Sequence, residues 1–321
     1  MSESYAIGMS VDITEKQHYV WRRYLSSWQD DPGDYRVWTG LLNLKQVKRL
    51  GLKDVAQSRY FYRLEELTDV ELAFLKQFAG QLSIWVKDLA DVIIGGYEFY
   101  SSIKQAVAAG KLSMTQERHH ELKRMEANVF ESIHGQIESM GDALLKCKDS
   151  NDIRMLANEQ EYDFLFYLLV QYMRTKIRKD SFYNALSARP DLQQIARKCW
   201  PFFNIVTAMQ WVEAMLIKKD YRYVFVHNNS SIPFITGDQP AINTRWKETD
   251  AKSNIIGLEI YYPMSPTNAL VIEFNSGKKY SDLDVDEEFV KERNRMIMEE
   301  AGLHVFANEE GVLKEMIYYA P

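Results

Sequence analysis

Cysteine is almost missing from this chain. Its two cysteines, Cys147 and Cys199, lie far apart and outside any ligand spacing. That excludes a disulfide framework or a cysteine-based metal site, and it predicts free thiols in a cytoplasmic protein. An excess of basic charge is missing too. Lys and Arg total 39 against 45 Asp and Glu, a net charge of −6, which leaves only a local patch to hold nucleic acid. Long apolar runs are also absent. The strongest, Phe164–Val170, is too short to span a bilayer and is followed by Gln171 and Arg174, so no membrane segment is expected. The start, Met1-Ser-Glu-Ser-Tyr5, has no basic region leading into an apolar one, so no signal peptide is expected. Repeats and low-complexity tracts are missing. So are Gly-x-Gly-x-x-Gly, a Walker loop, His-Glu-x-x-His, Gly-x-Ser-x-Gly and Cys-x-x-Cys. Those gaps disfavour P-loop nucleotide transfer and serine-hydrolase chemistry.

What is present is a chain of 321 residues, 46% hydrophobic and 13% aromatic, ample for a packed core. Lys16–Trp28 reads as a short helix after Thr14, and Val37–Leu44 reads as a strand. Thr68-Asp-Val-Glu71 is a capping-box pattern that opens a mostly helical middle running to about Ile217. Gly95-Gly96 suggests a break or kink within it. Long helices are predicted over Ser113–Ala143, Asp152–Arg178 and Leu192–Ile217, the last kinked at Pro201. From Lys218 the pattern turns to strands. Tyr221–His227 and Ile232–Thr236 read as a hairpin, Ile255–Tyr262 and Asn268–Phe274 as two further strands, and Asp284–Ala301 as a helix. Leu303–Asn308 and Leu313–Tyr319 read as a closing hairpin. The order predicts an α+β fold: one domain over 1–321, with an N-terminal helix-strand segment (1–66), a helical middle (67–218) and a β-rich end (219–321). The helical middle is expected to pack against a mostly antiparallel C-terminal sheet.

Four places could carry chemistry. In Phe234-Ile-Thr-Gly-Asp-Gln-Pro240 an apolar strand delivers Asp238 into a turn. The carboxylate either closes an Asx turn or is a displayed reactive group. Glu131, His134 and Glu138 fall on neighbouring parts of one helix surface. His-x-x-x-Glu spacing can give two ligands to a metal ion, or it can be a solvated ion-pairing face. Gln171 sits beside an apolar helix side with Arg174 one turn on. Arg174 could clamp a phosphate bidentately, or form a structural ion pair, for instance with Asp238. His18 lies among aromatics with Arg22 and Arg23 close by. It is either a satisfied core histidine or a ligand, and the arginines either touch phosphate or face solvent.

On these same residues the chain resembles a bacterial family, domain of unknown function 4238. The matching elements are Lys16-Gln-His-Tyr19, Val37-Trp38, Ala56–Tyr62, His134-Gly-Gln-Ile-Glu138, Gln171-Tyr-Met-Arg-Thr175, Phe234–Pro240, Tyr262-Pro-Met-Ser-Pro266 and Asn294. Two departures stand out. Trp21 replaces the family's proline, and Gly237-Asp-Gln239 replaces its Ser-Asp-Asn. The resemblance imports no activity; it implies an accessory protein of bacterial genomes and mobile elements.

Two functions are expected from these residues. One is a metal-assisted phosphodiester hydrolase, a nuclease-like toxin or phage-defence effector. In it His18, His134, Glu138 and Asp238 are catalytic, and His134, Glu138 and Asp238 hold a divalent Mg or Mn ion. Gln171, Arg174 and Arg22 contact the substrate. The other is a non-catalytic sensor or partner-binding subunit of a defence or mobile-element system. Expected partners are nucleic acid through a local patch, a defence-system protein or further copies of the chain, and no membrane.

Overall fold

The computed structural model describes residues 12–250, 256–274 and 277–319. The reading of Met1–Tyr5 and the start of the strand proposed at Ile255 fall outside them. The fold is α+β, with long helices and two sheets of three or more strands. The chain forms two compact units, each assembled from separate stretches. One takes the chain up to Gln17, Ser58–Ser139 and Lys179–Trp211; the other takes His18–Gln57, Met140–Arg178 and the chain from Val212 on. Their borders do not follow the boundaries between helix-rich and strand-rich sequence.

The first unit is helical. Helix Asp69–Ala79 opens on the expected capping box: Thr68 accepts from the Glu71 N–H, and Glu71 accepts from the Thr68 N–H at 2.8 Å. The Glu71 carboxylate is used twice, since Lys198 also reaches it at 2.8 Å. Helices Ile84–Ala108 and Gln116–Met140 follow. The first runs straight through Gly95-Gly96, where no break occurs, because Ile93, Ile94, Tyr97 and Tyr100 are buried on one face and hold the turn together. Tyr97 packs on Phe130 across the pair, and Phe78 packs on Phe202 and Phe203. The single helix predicted over Leu192–Ile217 is two, Pro190–Lys198 and Trp200–Lys218, separated at Cys199. Pro201 therefore sits in a first turn, where its missing N–H costs no helical bond.

The second unit carries two sheets. The first is antiparallel, in the order Gln46–Gly51, Arg36–Leu41, His304–Ala307, Thr236–Gly237. The second runs Tyr280–Val285, Arg222–Asn228, Asn268–Glu273, Glu259–Pro263, Ile242–Asn243. Its first pair is parallel and the rest antiparallel. Helix Ser150–Met173 packs on the Tyr280–Val285 and Arg222–Asn228 strands of the second sheet, helix Glu310–Tyr319 packs on the first sheet, and helix Glu287–Glu300 packs on Thr236–Gly237 and Ile242–Asn243.

Several expectations are corrected here. Lys16–His18 is extended, and helix starts only at Arg22. Gln46–Gly51 and Tyr280–Val285 are strands that were not foreseen. The helix predicted over Asp152–Arg178 ends at Met173, and Lys176–Ala185 is a separate helix. Arg222–Asn228 and the segment after Ile232 do not form a hairpin. Pro233 has no N–H to donate into a ladder, so the return strand cannot pair along its length. Only Thr236–Gly237 is strand, and it belongs to the other sheet. The closing hairpin is also replaced: Glu310–Tyr319 is a helix, buried through Leu313 and Ile317 at a spacing of four, with Lys314 bonded to Glu310.

Candidate functional site

The stretch Ile232–Asn243 joins the two sheets, and nearly every residue in it is tied down. Trp28 Nε1 donates to the Phe234 carbonyl at 2.9 Å. Asn294 replaces the missing ladder on both sides of Phe234, accepting from Ile235 N–H and donating to Pro233 O, each at 2.9 Å. The Tyr24 hydroxyl meets Thr236 Oγ1 at 2.6 Å and the Pro263 carbonyl at 2.8 Å. Gln239 donates to the carbonyls of Tyr172 (3.0 Å) and Ala241 (2.6 Å) and accepts from Thr175 Oγ1. Its side chain thus links the end of the long helix to the turn.

Asp238 is buried, not displayed. Its Oδ1 accepts from Gly302 N–H at 2.7 Å, and its Oδ2 from Leu303 N–H at 2.8 Å and His304 N–H at 3.2 Å. Its own N–H donates to the His304 carbonyl. Burial pushes the carboxyl up, while the three N–H donors and nearby His304 favour its charged form. The same burial lowers the His304 imidazole, whose Nδ1 stands 4.0 Å from Oδ2. This geometry makes Asp238 an anchor for the turn between helix Glu287–Glu300 and strand His304–Ala307. Both oxygens face N–H dipoles, so the carboxylate does not suit a metal cation. His304 was not foreseen; its only sequence signal is its place two residues after a glycine that follows a helix.

Beyond Gln239 the same unit holds a cluster of polar groups. Arg174 caps helix Ser150–Met173 and is fully buried. Its Nη2 donates to Gln171 Oε1 at 3.0 Å, so the buried amide foreseen on this helix orients the guanidinium. The carboxylate suggested as a partner for Arg174, Asp238, is instead taken up by the 302–304 backbone. Tyr167 and Tyr262 share a hydroxyl hydrogen bond of 2.7 Å, and Tyr24 stacks on Tyr262 at 5.0 Å. Arg174 lies near enough to Tyr262 and His18 for its charge to act on both. His18 is half-buried and pulled down to about 4 by burial and by the charges of Arg22 and Arg174. The backbone of Lys53 and Leu52 opposes the shift. Arg22 is exposed, so cationic groups run from solvent at Arg22, past His18, to buried Arg174. Arg23, the other arginine of the pair, bonds Asp142 instead.

His134 and Glu138 lie on helix Gln116–Met140 in the first unit, and Asp238 in the second. His134 is buried, with its ring 4.0 Å from that of Tyr62. Close by, Gln17 clamps two stretches, donating to Ala127 O and accepting from Tyr62 N–H, both at 2.6 Å. Glu131 and Glu138 are half-buried on the same helix. Among the described residues no group of three His, Cys, Asp or Glu side chains is placed to hold a metal ion. No helix of the described residues is long and apolar enough to cross a membrane.

A family model described as "Protein of unknown function (DUF4238)" matches residues 16–311. The chain belongs to the DUF4238 family. No curated protein and no solved structure matches it. The match runs from Lys16 to beyond the Ile232–Asn243 stretch, so it takes in His18, Arg22, Gln171, Arg174 and Asp238 of this DUF4238 protein.

Proposed function

We propose that this DUF4238 protein binds a phosphodiester at His18, Arg22, Gln171 and Arg174 and hydrolyses it, as a nuclease-like toxin or phage-defence effector would. One observation carries the reading: a half-buried imidazole, held neutral at pH 7, stands in the field of an exposed and a buried arginine. Two guanidiniums suit the oxygens of a phosphate group. Between them His18 is in the right form to accept a proton from an attacking water. A bound anion offsets the arginine charges and raises the imidazole towards the working pH, where a general base is most effective. The step transfers a proton from water to His18, forms the bond from the water oxygen to phosphorus, breaks the bond from phosphorus to the leaving oxygen, and returns the proton from His18 to that oxygen. The metal set expected from sequence, His134, Glu138 and Asp238, does not fit this reading, because Asp238 is spent on backbone N–H groups. Free, buried Cys147 and Cys199 support a cytoplasmic setting.

A second reading keeps the site and drops the chemistry: a sensor subunit that binds a phosphate-bearing ligand. It is favoured by the structural use of Asp238 and Gln239, whose side chains are taken up by backbone and helix-end contacts. Turnover of a chromogenic phosphodiester by wild type, His18→Gln and Arg22→Gln separates the two. Hydrolysis that falls roughly 100-fold or more in His18→Gln supports catalysis. Binding without turnover supports the sensor, and neither binding nor turnover by folded wild type overturns both.

A further inference from the structure

Helix Ile84–Ala108 buries one face through Val86, Ala90, Ile93, Ile94 and Tyr97 and leaves large apolar side chains on the other. Trp85 is 74% exposed, Val92 65% and Phe99 58%. These three are seven residues apart, so successive members drift by only about 20° around the helix and form one stripe. Leu89 sits between the first two. Gly95 sits between the last two, and a Cβ built there would meet nothing within 4 Å. An exposed aromatic stripe of this kind marks an interaction surface.

The stripe is self-complementary. Trp85 lies seven residues before Val92 and Phe99 seven after; Leu89, three before, and Gly96, four after, fall on one side, and Asp88, four before, and Gly95, three after, on the other. A two-fold contact needs a patch that matches itself under rotation. With two such helices antiparallel and Val92 on the axis, each Trp85 meets the other copy's Phe99. Each Leu89 then fills the space over the other copy's Gly96, where a Cβ would also meet nothing within 4 Å. The exposed parts of Ile84, Trp85, Val92 and Phe99 amount to roughly 500 Å² per copy, taking large apolar side chains at about 150–250 Å² each. A standard interface buries about 800 Å² per partner, and the core of a homodimer interface is about 65% apolar. The stripe therefore supplies the apolar centre a dimer requires, with exposed Asp88 on it, over the other copy's Gly95, and Asp91 at its margin. We propose that two copies of this chain pair through antiparallel Ile84–Ala108 helices into a homodimer. The inference is independent of the chemistry proposed at His18.

Sedimentation velocity of the full chain tests it. Wild type should sediment as a species of twice 37.6 kDa at micromolar concentration. Val92→Arg places like charges on the axis and should weaken association roughly 100-fold, with an unchanged circular dichroism spectrum because Val92 is exposed. Trp85→Ser should do the same through loss of the anchor, which covers the case that Val92→Arg misfolds. Cys147 and Cys199 are buried, so introduced thiols can be read cleanly. A mixture of Trp85→Cys and Phe99→Cys chains should cross-link on oxidation, while neither does alone. A wild type that stays monomeric to ~100 µM overturns the proposal and leaves the stripe to a different protein. A dimer untouched by both substitutions, or a cross-link in Trp85→Cys alone, overturns the antiparallel pairing.

Discussion

Replacing Asp238 by alanine removes the acceptor for three backbone N–H groups at once, those of Gly302, Leu303 and His304 at 2.7, 2.8 and 3.2 Å. A buried donor left without a partner costs about 1–3 kcal/mol. Gly302 is exposed and can turn to water, whereas Leu303 and His304 are half-buried. The expected loss is therefore about 4 kcal/mol, nearer the low end per bond. At about 2–4 °C per kcal/mol for a domain of this size, that is a fall in Tm of roughly 10 °C. Asp238→Asn keeps the shape and one acceptor but turns an N–H towards an N–H, so it should fall between alanine and wild type. Urea unfolding followed by tryptophan fluorescence measures the loss. Amide hydrogen exchange should show faster exchange at 302–304 in both variants. An Asp238→Ala protein within 1 kcal/mol of wild type, with unchanged exchange there, would refute the anchoring role.

Acid should weaken the fold through His18. Its imidazole sits at about 4 in the folded chain against 6.5 in a free one, so the unfolded chain takes up the proton first. Stability from this group is complete above pH 6.5 and is lost as pH falls from there towards 4, by up to about 3 kcal/mol. The difference between wild-type and His18→Gln unfolding curves across that window isolates it, and parallel curves would contradict the reading. Tyr24→Phe removes the hydroxyl between Thr236 and the Pro263 carbonyl and should cost about 1–2 kcal/mol in urea unfolding. Gly141→Ala puts a Cβ 2.6 Å from ring atoms of buried Tyr167. It should destabilise by about 1–3 kcal/mol through overpacking, read as a lower Tm; an unchanged Tm would show that the ring yields freely.

The parts of this fold that local chemistry dictates were legible in the sequence. Thr68 and Glu71 cap a helix wherever they stand at that spacing, and the capping box is present. Glu259–Pro263 and Asn268–Glu273 pair through the Pro263–Thr267 turn as their pattern suggests. Tertiary context decided the rest. Ile232–Thr236 has the composition of a strand, but Pro233 cannot donate, and Trp28 and Asn294, distant in sequence, supply the bonds instead. Tyr280–Val285 is a strand with only Val285 buried, so no apolar alternation announced it. At the site, the polarity of Gln171, Arg174 and Asp238 among apolar residues was visible. The partners of Asp238 were not, because the hydrogen bond from Gly302 N–H to Asp238 spans 64 residues that no local pattern connects.

The most direct test of the phosphate-binding centre is an NMR titration of the His18 imidazole, with and without a phosphodiester. The free protein should titrate at about 4. Saturating diester should raise that value in wild type, and the rise should shrink in Arg22→Gln. A His18 that titrates near 6.5, or one indifferent to the diester in folded wild type, would contradict the account.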